Sequence, residues 1–230
     1  MMAEAAQLEP GARVLDVGCG SGAPALYLVV EHGVHVTGIT TSVGGVATAR
    51  ARARTAGLSD RAEFLERDGM ANDFPSGSFD RVWVLESSHL MRRRDRLISE
   101  CARTLKPGGR AVLCDIVLRR ELPLEEVRER RAEFALLRDV FGAARMEPVA
   151  AYKKLLAEQG LEIDTEVDLT ARVRPTFSRW RENAAQHRDE VVALLGGTEI
   201  DDFVASCDVL DGLWQDGTLG YALLAAWKPV

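Results

Sequence analysis

Long apolar runs are missing from this chain of 230 residues: none approaches the roughly 18–20 residues that a membrane-spanning helix needs. The opening Met1-Met2-Ala3-Glu4-Ala5 has no basic stretch leading into an apolar core, so no secretory signal is read there. Cysteine is scarce. The four present, Cys19, Cys101, Cys114 and Cys207, show no C-x-x-C spacing, which excludes a disulfide framework and a zinc knuckle. Reduced, buried thiols in a cytoplasmic protein are the expectation. Basic excess is lacking too: 29 Lys and Arg stand against 35 Asp and Glu, a net charge of −6. A nucleic-acid partner would need a clustered basic face, and the short runs Arg92-Arg93-Arg94 and Arg128 to Arg131 are flanked by acids, as on a solvated helix. Neither a nucleic acid nor a membrane is expected as partner. No His/Cys/Asp/Glu cluster has metal-ligand spacing, so no metal is expected. His32, His35 and His187 read as surface residues.

What is present is an ordinary globular composition, 47% hydrophobic and 28% charged, enough for one α/β domain with a cap. Its sharpest feature is Val14-Leu15-Asp16-Val17-Gly18-Cys19-Gly20-Ser21-Gly22. An apolar strand ends in an acid and turns through three alternating glycines into a helix. Such glycines permit a tight turn and let a ligand lie against the main chain. The G-x-G-x-G spacing is not the G-x-G-x-x-G of dinucleotide folds. That spacing disfavours a nicotinamide-dependent oxidoreductase. Strands are predicted at 13–17, 34–39, 61–65, 79–85 and 110–118. Helices at 21–32, 46–56 and 94–105 separate them, the last broken by Lys106-Pro107-Gly108-Gly109. That rhythm means βαβ units and a parallel sheet.

Beyond residue 118 the pattern changes. Helices are predicted at 123–141, 149–159, 175–195 and 200–214, with strands at 161–169 and 220–227. Phe134, Phe177, Trp180 and Trp214 either pack these helices together or roof an apolar pocket. A core at 1–118 is thus continued by a helix and strand at 148–170 and a last strand at 217–230. Inserts at 119–147 and 171–216 are expected to form a helical cap on what remains a single domain overall.

The order of these signals resembles the class I S-adenosylmethionine (SAM) dependent methyltransferases. The matching marks are Asp16 to Gly22, Val36-Thr37-Gly38-Ile39, Asp68-Gly69-Met70, Phe79-Asp80, Leu105-Lys106-Pro107-Gly108-Gly109 and the terminal aromatic strand. Within that family, Trp83-Val84-Leu85-Glu86-Ser87-Ser88-His89-Leu90-Met91 is similar to the sugar O-methyltransferases of antibiotic tailoring, the rebeccamycin type among them. Tocopherol, sterol and alkaloid methyltransferases share a similar Glu-Ser segment. The resemblance implies a Rossmann-like, mostly parallel seven-stranded sheet with an antiparallel last strand. It also implies SAM as cofactor, S-adenosylhomocysteine as product, and a small-molecule acceptor.

Site roles follow from the same resemblance. Gly18, Gly20 and Gly22 admit the methionine and ribose of SAM. Asp16 holds either the turn or the ammonium group. Asp68, Gly69 and Met70 flank the adenine, and Ile39 stacks on it. Leu85 and Glu86 line the sulfonium, although plain core packing explains Leu85 equally well. Thr40 stands where the family ends its second strand with an acid that grips the ribose, and Gly44-Gly45 supplies no side chain in compensation. Relatives carry several tens of residues of helix before the first strand. Only about ten residues precede Gly11 here, which predicts weaker SAM binding and a more open site.

Methyl transfer to an aliphatic hydroxyl gains from a general base. His89 and Asp115 would open toward one mouth, and both match residues proposed as bases in the sugar enzymes. His89 is otherwise a helix-start histidine, whereas Asp115 among Leu113, Cys114, Ile116 and Val117 needs a partner or a function. The expected activity is transfer to an oxygen, or a nitrogen, of a secondary metabolite, with antibiotic tailoring foremost. The alternatives are a SAM-binding protein without catalysis and a C-methyltransferase of a lipid or isoprenoid. Acceptor identity and oligomeric state stay open.

Overall fold

A computed structural model describes residues 1–230, with the side chain of Leu195 excepted. Seven strands form one sheet: β1 (Arg13–Val17), β2 (His35–Thr40), β3 (Ala62–Glu66), β4 (Phe79–Leu85), β5 (Leu105–Leu118), β6 (Glu162–Asp168) and β7 (Leu219–Trp227). Their order is β3-β2-β1-β4-β5-β7-β6. The pairs β2–β3, β1–β2, β1–β4 and β4–β5 are all parallel, and the sheet is Rossmann-like with one antiparallel strand. Strand order reverses between β1 and β4, which opens a crevice at the carboxyl ends of those strands. Parallel strands covered on both faces need continuous apolar sequence, and β1 supplies it with Val14, Leu15 and Val17 wholly buried.

By contacts the chain divides into two compact units, one of Met1–Asp115, Ala150–Val167 and Ala222–Val230, the other of Ile116–Val149 and Asp168–Tyr221. In the first, the helix Ala23–His32 starts on Gly22 and stops on Gly33, both left-handed, and buries Ala25, Leu28 and Val29. The helix Val43–Thr55 is capped by Ser42, whose hydroxyl accepts from the Gly45 amide at 3.0 Å. The helix Arg94–Thr104 buries Leu97, Ile98 and Cys101. The second unit contains the helices Leu124–Glu129, Arg131–Phe141, Pro175–Gln186, Arg188–Leu195 and Gly197–Gln215, and the second, third and fifth of these meet through Phe141, Phe177, Trp180, Phe203 and Trp214. Phe177 and Trp214 meet edge to face at 4.9 Å.

Three segments depart from the sequence expectation by more than a few residues at an end. Lys106–Gly109, read as the break after the helix, does follow its end at Thr104 but also joins β5, expected only from 110, because Gly108 donates to the Lys228 carbonyl at 2.7 Å and Lys228 donates to Gly109 at 2.9 Å. Leu105 pairs with Phe79 and Arg110 with Arg81, so the extra residues bulge out of register. The helix expected over 123–141 breaks at Arg130, whose guanidinium is held by Glu126, Glu133 and Asp216. That expected over 175–195 breaks at His187. Among the described residues no helix is long and apolar enough to cross a membrane.

Candidate active site

Every expected site residue falls in the first unit, most of them where strands end. Asp16 lies on β1, cross-strand from Trp83 on β4. Its carboxylate is 2% exposed, and Oδ2 has no hydrogen-bond partner among the described residues. Burial pushes this carboxyl up to about 7, since no positive group offsets the lost hydration. The glycine turn that follows is pinned to the end of β2: the amides of Gly18 and Cys19 donate to the Ile39 carbonyl at 2.8 and 3.0 Å.

The three glycines are not equivalent. All have positive φ, but a Cβ on Gly18 would lie 2.3 Å from Ser87 Cβ, and one on Gly22 2.7 Å from Ala49. Those two are glycine because the protein packs against them. Gly20 faces open space, with no atom within 4 Å of an added Cβ. Gly69 packs on Val17 and the Met91 methyl, which also borders Gly18. Ser87 donates to the Val17 carbonyl at 2.7 Å, joining the loops after β1 and β4. Ile39 has no exposed surface, so stacking of its side chain on adenine is corrected to a backbone role, the carbonyl that anchors the turn.

Thr40 uses its hydroxyl to accept from the Ser42 amide at 3.2 Å. Asp68 is exposed and accepts from the Met70 amide at 2.8 Å, holding a tight turn around Gly69. At the end of β4, Leu85 is half-buried and Glu86 exposed. Glu86 has a φ of +47°, a left-handed conformation uncommon for this residue type. Its amide donates to the Cys114 carbonyl on β5 at 2.9 Å.

His89 and Asp115 are brought together. His89 sits in the short 3₁₀ turn Ser88–Leu90, and its Nδ1 lies 2.6 Å from Asp115 Oδ1. The His89 amide donates to Oδ2 at 3.1 Å. The side chains are 12% and 4% exposed. A carboxylate only accepts, so Nδ1 is the donor, and in the neutral ring the lone pair is on Nε2. Two further groups, Ser88 and Tyr152, join this pair; Ser88 sat in the quoted motif without a role, and Tyr152 had no sequence signal. Among the described residues no cluster suited to a metal ion occurs.

A family model for the methyltransferase domain matches residues 15–113. The chain is 34% identical over 223 residues to the 27-O-demethylrifamycin SV methyltransferase of Amycolatopsis mediterranei, across 96% of this chain and 79% of that protein. It is 37% identical over 174 residues to methyltransferase GfsG of Streptomyces halstedii, across 75% of this chain and 61% of that one. Among solved structures, the (4+2)-cyclase SpnF is 32% identical with a TM-score of 0.81, over 100% of this chain and 79% of that chain. The sheet order, the glycine turn and these likenesses define a Rossmann-like methyltransferase. The chain belongs to the class I SAM-dependent methyltransferases. Its residues fit that cofactor: the orphaned Asp16 oxygen suits a cationic group, and the open flank of Gly20 suits a ligand lying on the backbone.

Proposed function

We propose that the enzyme methylates a hydroxyl group of a small-molecule secondary metabolite, in antibiotic tailoring, with His89 as general base. The His89–Asp115 pair carries this reading, because a desolvated carboxylate that fixes the imidazole tautomer is what a hydroxyl nucleophile requires and an amine does not. SAM, when bound, supplies an electrophilic methyl on a positive sulfur and leaves as S-adenosylhomocysteine. Asp16 would hold its ammonium group and the open flank of Gly20 its methionine and ribose, in a turn that Gly18 and Gly22 shape by close packing, with Thr40 on a ribose hydroxyl. Asp68, Gly69 and Met70 would flank its adenine, with Leu85 and Glu86 beside the sulfur. His89 Nε2 takes the acceptor's hydroxyl proton, while Asp115 holds Nδ1–H and offsets the imidazolium charge. The four free cysteines, all buried, agree with a cytoplasmic setting.

Methyl-labelled SAM with a panel of hydroxylated and aminated natural products tests this. Label is expected on hydroxylated compounds, with single-turnover rates of His89→Ala and Asp115→Ala down by about a hundredfold or more. Near wild-type rates in both variants would remove the base. A second reading, SAM binding without methyl transfer, is favoured by the whole-chain likeness to a cyclase. Tight SAM binding with no label on any acceptor would select it.

A further inference from the structure

The dyad is not held by His89 and Asp115 alone. The Ser88 hydroxyl lies 2.5 Å from Asp115 Oδ2 and 2.7 Å from the Tyr152 hydroxyl. Asp115 accepts only, so the single Ser88 proton goes to Oδ2. Tyr152 must then donate its own proton to Ser88. The direction of the chain is thereby fixed: Tyr152 O–H to Ser88 Oγ, Ser88 O–H to Asp115 Oδ2, and His89 Nδ1–H to Asp115 Oδ1. Ser88 is fully buried and Tyr152 is 2% exposed, so no solvent competes for these bonds. Tyr152 comes from the helix Val149–Glu158, remote in sequence from both catalytic candidates. Arg94 steadies its ring, with the guanidinium carbon 5.7 Å from the centroid.

We propose that Tyr152 and Ser88 are positioning residues of the methyl transfer, clamping the Asp115 carboxylate so that His89 keeps its proton on Nδ1 and presents Nε2 to the acceptor. This rests on the base reading above. Rotation of Asp115 about its carboxylate axis would let His89 turn or change tautomer, and the donors on Oδ2 oppose that rotation. A buried carboxylate held by several donors on both oxygens has one arrangement in which all of them are satisfied.

The tautomer can be read without knowing the acceptor. Long-range proton–nitrogen correlation spectra of the nitrogen-15 histidine-labelled full chain resolve four histidines, and His89→Gln assigns the one in question. Wild type is expected to show only the Nδ1–H form of neutral His89. Tyr152→Phe and Ser88→Ala should each show a mixture of Nδ1–H and Nε2–H, and Ser88→Thr, which keeps the hydroxyl, should restore the single form. SAM affinity should stay unchanged in all three, while single-turnover rates on an identified hydroxylated acceptor fall on the order of tenfold in the first two. An unaltered tautomer in both Tyr152→Phe and Ser88→Ala overturns the clamp and leaves the base reading standing. A wild-type His89 protonated on Nε2 overturns both. If Tyr152→Phe fails to fold, the Ser88→Ala and Ser88→Thr pair decides alone.

Discussion

Asp16 shows how a single residue links cofactor binding to pH. Its folded carboxyl titrates near 7 through burial, against 3.8 for the ordinary group. Between those values the folded chain holds one proton more than the unfolded chain. Stability from this group is therefore full below about pH 4 and lost as pH rises toward 7. Asp16→Asn should flatten that loss, so urea midpoints of the variant and wild type should converge at pH 4 and part at pH 7, the variant being the more stable. Against this, a bound ammonium group would favour the ionised carboxylate, so SAM binding by wild type should release protons near neutrality. Calorimetry in two buffers of unlike ionisation enthalpy measures that release, and Asp16→Asn should abolish it.

At the scale of elements, the turn between β1 and its helix combines two demands that one glycine pattern conceals. Gly22 lets the helix Ala23–His32 lie against Phe64 and Ala49, so Gly22→Ala is expected to cost about 1–3 kcal/mol through overpacking. Gly20 and Gly57 both have positive φ and no atom within 4 Å of an added Cβ. Alanine at either should cost stability alike, on the order of 1 kcal/mol of backbone strain. Only Gly20→Ala should also weaken SAM binding, by tenfold or more, because its open flank is where the cofactor is proposed to lie. Thermal melts with and without SAM separate the two effects. Equal loss of affinity in both variants would remove Gly20 from the site.

For the whole molecule, the two units hold different sets of residues. The expected cofactor residues and the dyad all lie in the Met1–Asp115 part of the first unit, and the aromatic cluster of Phe141, Phe177, Trp180, Phe203 and Trp214 lies in the second. Phe177→Ala should destabilise that cluster by about 3–5 kcal/mol. Hydrogen exchange is then expected to rise over the helices Pro175–Gln186 and Gly197–Gln215 while SAM affinity is retained.

The sequence by itself determined the sheet and the turn. Apolar runs of strand length, helices between them, and glycines that adopt positive φ without steric cost are local constraints, and they fix β1, β2 and β4 almost to the residue. It also marked Asp115, a carboxylate within an apolar run, as needing a partner or a function, and placed His89 toward the same mouth. What only the tertiary structure decided are contacts between distant segments. Lys228 turns the Lys106–Gly109 break into strand, Ser87 and Phe64 explain two of the glycines, and Ile39 is withdrawn into the core. Tyr152 reaches Asp115 through Ser88, from which 64 residues of chain separate it, a meeting no local pattern encodes because a hydrogen bond depends on where folding brings its two ends.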